Sequence, residues 1–219
     1  LPKPDFATQV DGTKELMAEL NRLGMTSFSD GGGGGQMPEH YKPLLRIWQD
    51  GEMTMRVAYH LMSQKRGQEL DDLKNLTQLV PQGFGDDWLR FNGFGEVIIW
   101  EMHDGSRAGM QFNPSSEAKA ALRTAFGWIA ENGYGMEIHA ASDSSAQQIL
   151  DVLDEVNAET PIADLRWSIL HIDAASVSTL ERMKALGVSF GLQSRLYTGG
   201  EALVELLGED RARSAPPIK

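Results

Sequence analysis

The chain contains no cysteine, so histidines and carboxylates are its strong metal ligands, and thiolate chemistry and a disulfide scaffold are excluded. Two of its histidines close similar short runs. His139 ends Met136-Glu137-Ile138-His139, and His171 ends Trp167-Ser168-Ile169-Leu170-His171, with Asp173 two residues on. Read as a strand, the first run alternates with period two, which puts Glu137 and His139 on one face and Met136, Ile138 and Ala140 on the other. As neighbours in a sheet, the two histidines would stand about 5 Å apart, a reach over which two imidazoles can share one metal ion. Each also has a plain structural reading as a histidine hydrogen-bonded in a polar interior. Glu96 enters the apolar stretch Val97-Ile98-Ile99-Trp100, where a buried carboxylate needs compensation. A metal ion would supply it, and so would Arg90.

The other polar candidates carry weaker signals. His103-Asp104 fits a ligand pair but is read as a solvated loop, and His40, in a Pro-Glu-His helix start, is read as a surface residue. His60 reads equally as a pocket wall or as a buried, satisfied side chain. Asp30, Gln193 and Arg195 follow strand-like runs. The glycine run Gly31 to Gly35 could cradle an anion with bare amides. It lacks the Lys and Ser/Thr of a phosphate loop, and Pro38 interrupts the helix that should follow, so it is read as a flexible loop beside the pocket. No G-x-S-x-G segment is present to form a nucleophile elbow.

The elements that would position these residues alternate. A helix from about Thr13 to Leu23 comes first, and strands are expected at Met25 to Ser29, Met55 to Leu61, Leu89 to Phe91 with Val97 to Trp100, Met136 to Ala140, Arg166 to His171 and Val188 to Leu192. Gly93 and Gly95 should bulge or bend the third of these. Helices are expected at Pro38 to Asp50, Glu69 to Leu79, Ser116 to Asn132, Ser144 to Ala158, Ser176 to Leu186 and Glu201 to Leu207. Such alternation implies an α/β fold with a parallel sheet. Titratable residues stand at the ends of several different strands, which favours a barrel over an open doubly wound sheet. The expectation is one domain over residues 1–219: a partial (β/α)8 TIM barrel of about six strand-helix units with the first and last staves missing.

Composition bounds the partners. The 219 residues carry 31 acidic against 20 basic side chains, a formal net charge of -11, which opposes binding to nucleic acid or an anionic membrane. No apolar run reaches the roughly 20 residues that span a bilayer, and no signal-peptide pattern opens the chain, so a cytoplasmic protein is expected. Two open sheet edges would favour homo-oligomers. The rival reading is a non-catalytic α/β interaction or small-molecule-binding domain in which the histidines are structural.

Taken in order, these segments resemble the metal-dependent amidohydrolase superfamily. They are Glu96, Ile138-His139-Ala140 with Asp143, Arg166-Trp167 to His171, Leu186-Gly187-Val188 to Gln193-Ser194-Arg195, and Arg213-Ser214-Ala215-Pro216-Pro217-Ile218. Leu20-Asn21-Arg22-Leu23-Gly24-Met25-Thr26-Ser27 and Gly85-Asp86-Asp87-Trp88-Leu89-Arg90 are similar to the branch related to N-substituted formamide deformylase. The resemblance implies one or two divalent metal ions, usually zinc, and hydrolysis of an amide-type bond in a small molecule by metal-activated water. By position, His139 and His171 match the fifth- and sixth-strand histidines, and Glu96 matches a fourth-strand carboxylate where the family more often has Lys. The family's H-x-H pair does not occur here, and its eighth-strand Asp, the general base, is expected outside this chain. The resemblance therefore implies the central part of a catalyst, incomplete by itself.

Overall fold

The computed structural model describes residues 4–33, 37–105, 112–193, 196–213 and 215. The expected Gly34, Gly35, Ser194, Arg195, Ser214 and Pro216 to Ile218 lie outside the described residues. Among the described residues, six strands form one sheet in chain order: β1 (Ser27–Asp30), β2 (Arg56–Leu61), β3 (Leu89–Glu96), β4 (Met136–His139), β5 (Ser168–Leu170) and β6 (Ser189–Gly191). All five neighbouring pairs are parallel. The helices are α1 (Phe6–Arg22), α2 (Lys42–Gln49), α3 (Glu69–Leu76), α4 (Ser116–Glu131), α5 (Asp143–Glu159), α6 (Val177–Leu186), α7 (Leu196–Leu207) and α8 (Glu209–Ala212). Among the described residues, no helix is long and apolar enough to cross a membrane.

One contact measures how strongly the sheet curls. Ser29 on β1 donates a hydrogen bond to Glu137 Oε1 on β4 at 3.0 Å, although β2 and β3 lie between those strands. Three strand spacings in a flat sheet would separate them by about 14 Å. The strands therefore wrap into a half-barrel with Ser29 and Glu137 inside, as expected of a partial (β/α)8 barrel. The outer face is the apolar layer. Met136, Ile138 and Ile169 on the strands and Trp167 just before β5 are buried with Leu122, Phe126 and Ile129 of α4, Ile149 and Leu153 of α5 and Met183 of α6. Trp167 has no exposed surface, and its indole N–H donates to the Tyr134 carbonyl at 2.9 Å, so its one polar atom is satisfied.

Two expectations about the elements need correction. The helix read from Thr13 begins at Phe6, because the Asp5 side chain accepts from the Thr8 amide at 2.8 Å and caps it. Its apolar periodicity starts later than the helix because the first turns are largely exposed. The stretch Val97 to Ile99 is not a strand. The third strand runs unbroken from Leu89 through both glycines and ends at Glu96, after which Trp100 to Met102 form a short 3-10 turn. A bulge is present as expected: Tyr59 pairs with Phe91 while His60 pairs with Gly93, leaving Asn92 as the extra residue. That extra residue resets the alternation. Arg90 and Asn92 line the inner face, whereas Phe91 and Phe94, three apart, share one outer aromatic cluster with Tyr134.

Candidate metal centre

Glu96, His139 and His171 come from the ends of three consecutive strands. Leu170 is paired with His139 across β4 and β5, so His171 stands one position past the paired strand. Its φ of 74° lies in the left-handed region, which non-glycine residues rarely occupy. Its amide donates to Gly191 O at 2.9 Å, which ties the turn to β6. The two imidazoles are 4.7 Å apart between ring centroids. Glu96 Oε2 lies between them, 3.0 Å from His139 Nδ1 and 2.5 Å from His171 Nε2. One ligand atom from each of the three residues falls within a 4.8 Å set. The donor set is two imidazole nitrogens and one carboxylate oxygen, a combination that suits a borderline divalent cation.

The glycine run serves this cluster by close approach. Gly31, Gly32 and Gly33 cross the ends of β3 and β4, where a Cβ on Gly31 would come within 2.8 Å of Glu137 Oε2 and one on Gly33 within 3.2 Å of Glu96 Oε1. Gly32, at φ 68°, would drive a Cβ into the Gly95 carbonyl. Its own carbonyl accepts from the Glu96 amide at 3.2 Å. The described part of the run is thus packed against the site rather than open for an anion.

His103 and Asp104, read from the sequence as a solvated loop, belong to the site instead. The His103 ring stacks on His139 with centroids 4.0 Å apart and planes 19° from parallel. Asp104 is buried and lies 3.0 Å from His139 Nε2. Its carboxylate also accepts from the amides of Ala141 and Ser142 and from the Ser145 hydroxyl. Polar loop composition hid this role, and the only sequence signal was a His-Asp pair soon after a strand-end glutamate. His60 proves to be a satisfied buried side chain: it accepts from Asn92 Nδ2 at 3.1 Å through Nε2 and donates from Nδ1 to Asp30 O at 2.8 Å. His40 is exposed, as expected, and accepts from the Met37 amide at 3.1 Å at a helix start. Arg90 does not compensate Glu96. It pairs with Asp87 at 3.2 Å and lines a separate cavity of about 520 Å³ with Arg56, Arg166, Ser29, Asn92 and Gln82.

The charges in the cluster are mutually arranged. Burial alone would raise the Glu96 pKa, but hydrogen bonds from His139 and His171 hold it well below the usual carboxylate range. Burial pushes His139 down, and its bonds to Asp104 and Glu96 outweigh that and raise it to about 9. Asp104 is lowered against its burial by His139, Ser145 and Ala141. His103 is lowered by burial and by its proximity to His139. The cluster therefore holds anionic carboxylates against histidine nitrogens, an arrangement that a cation can enter by replacing protons.

Comparison with known proteins agrees with this fold. The structure is similar to an uncharacterized metal-dependent hydrolase from Pyrococcus horikoshii OT3, with TM-score 0.66 and 18% identity over 95% of this chain and 41% of that one. A second uncharacterized metal-dependent hydrolase, from Pyrococcus furiosus, gives TM-score 0.63 and 20% identity over 92% and 41%. A mutant phosphotriesterase-like lactonase from Deinococcus radiodurans gives 0.57 and 16% over 95% and 67%. The chain thus spans about two fifths of the length of the two Pyrococcus proteins. No curated protein matches it. The model of the amidohydrolase family, by contrast, matches residues 1–219, and on that match the chain belongs to the amidohydrolase family.

Proposed function

We propose that this chain carries the metal-holding centre of a metal-dependent hydrolase that cleaves amide-type C–N bonds in small molecules, within the branch related to N-substituted formamide deformylase. The observation that carries the reading is the convergence of Glu96, His139 and His171 from three consecutive strand ends onto one 4.8 Å set of donor atoms. Barrel enzymes assemble their chemistry at that end of the strands. Glu96, His139 and His171 would hold the ion, and two nitrogens with one carboxylate suit zinc. When bound, a divalent cation supplies Lewis-acid polarisation of a carbonyl and a water acidic enough to attack it near neutral pH.

The chain's own residues prepare the site for that. Glu96 contributes the negative charge that offsets a dication, and it keeps that charge because two imidazoles face it. His139 turns Nδ1 toward Glu96 and Nε2 toward Asp104 and the Gly105 carbonyl, so its outer nitrogen donates while its inner one can coordinate. The general base is assigned by resemblance to an eighth-strand aspartate, which none of the six described strands supplies.

The test is zinc titration by calorimetry, with metal content by mass spectrometry, on the wild type, His139→Ala, His171→Ala and E96Q. The wild type is expected to bind one equivalent. Each variant should lose more than the roughly 10–100-fold typical of removing an outer contact. Wild-type affinity in both histidine variants would sink the assignment.

A further inference from the structure

We propose that His103 and Asp104 are a positioning pair for His139, one holding the face of its ring and the other its outer edge. The assignment rests on the metal reading above. His139 has only two in-plane nitrogens, and rotation about its side-chain bonds would carry Nδ1 away from Glu96. Two contacts oppose that rotation. Stacking at 4.0 Å and 19° leaves the His103 ring against one face of His139, and Asp104 Oδ1 lies 3.0 Å from Nε2 at the opposite edge from Glu96. The Gly105 carbonyl, at 2.6 Å, shares that edge, so the donor at Nε2 has acceptors from adjacent residues of one segment.

Asp104 can hold a fixed position because it is itself held. It is 5% exposed. Ala141 and Ser142 donate their amides to it at 3.0 and 3.1 Å, and the Ser145 hydroxyl donates as well. Those donors belong to the turn after β4 and the start of α5. The carboxylate therefore links the strand end that carries His139 to the helix that follows it. An outer carboxylate on a ligating histidine fixes the ring orientation and raises the basicity of the coordinating nitrogen, and its loss typically weakens metal binding about 10–100-fold. His103 keeps its own ring oriented by accepting from the Gly105 amide at 3.1 Å through Nδ1.

The experiment measures Zn²⁺ affinity and the visible spectrum of the Co²⁺-loaded chain for the wild type, D104N, His103→Ala, His103→Phe and Ser145→Ala. Asp104→Asn keeps an oxygen for the Ala141 and Ser142 amides but removes the charge at His139. It is expected to weaken zinc about 10–100-fold and to shift the cobalt bands. His103→Ala should weaken zinc by a smaller factor and His103→Phe, which can still stack, should restore it. Ser145→Ala removes one of the donors that hold Asp104 while the Ala141 and Ser142 amides remain, so it should lower the melting temperature and weaken zinc by a smaller factor than D104N. Wild-type affinity and spectrum in a folded D104N overturn the assignment and leave Asp104 as a cap on α5. If D104N does not fold, wild-type zinc affinity in His103→Ala overturns it. A wild-type chain that takes up neither ion overturns the metal reading itself, and this assignment falls with it.

Discussion

His171 contributes a side chain to the cluster from a backbone conformation that costs energy. A non-glycine residue at φ 74° carries a penalty of roughly 1–2 kcal/mol from the contact between Cβ and the backbone, and such residues gather at functional sites because the surrounding structure holds them there. The turn is held by the bond from its amide to Gly191. A pair of variants separates the ligand from the backbone. In the metal-free chain, His171→Gly should be more stable to urea than His171→Ala by about 1 kcal/mol, since glycine accepts the left-handed turn and alanine does not. Both should lose zinc equally. Equal urea midpoints for the two variants would mean that the turn relaxes and stores nothing.

The elements around the site owe their placement to a few small residues. On β3, Gly93 at φ 118° sits beside the bulge, and a Cβ there would collide with the Gly135 carbonyl of the neighbouring segment. That carbonyl accepts from Phe94 N at 3.0 Å, so neither partner can move without losing the join between β3 and β4. Gly93→Ala is expected to cost more than about 3 kcal/mol, combining strain with lost pairing, and to abolish zinc binding because Glu96 and His139 lie on the two strands it separates. Gly127 is the contrasting case. It lies inside α4 with nothing within 4 Å of where a Cβ would be. There Gly127→Ala should stabilise the chain by about 0.5–1 kcal/mol. Urea denaturation of both variants checks the signs, and a stabilising Gly93→Ala would contradict the close approach.

At the scale of the fold, the sheet formed by the described residues has β1 at one edge and β6 at the other. Exposed edges are templates for pairing with another copy. Phe190, on β6, is 39% exposed and adds an apolar side chain to that edge. We propose self-association through these edges: sedimentation velocity should show a concentration-dependent dimer or larger species, and Phe190→Lys should shift it toward monomer. A monomer at all accessible concentrations, or no effect of the lysine, would remove the edge from consideration.

The order of the elements was legible in the sequence because both periodicities and their stop signals are local. Leu122, Phe126 and Ile129 mark the inner stripe of α4, Ser115, Ser142 and Ser176 cap three helices with their side chains, and Gly187 ends α6 at φ 70°. The strand ends carrying His139 and His171 were legible for the same reason. Glu96 is legible as a carboxylate in apolar surroundings, but the end of its strand is not, since Val97 to Ile99 has strand composition and no ladder partner. The closure of the sheet was decided only by the tertiary structure: Ser29 and Glu137 are 108 residues apart in the chain and meet because three interstrand twists add up to a curl. The roles of His103 and Asp104 were decided there too. Their partners are a ring 36 residues later and the amides of a distant turn, and no local pattern encodes a contact made between segments that only folding brings together.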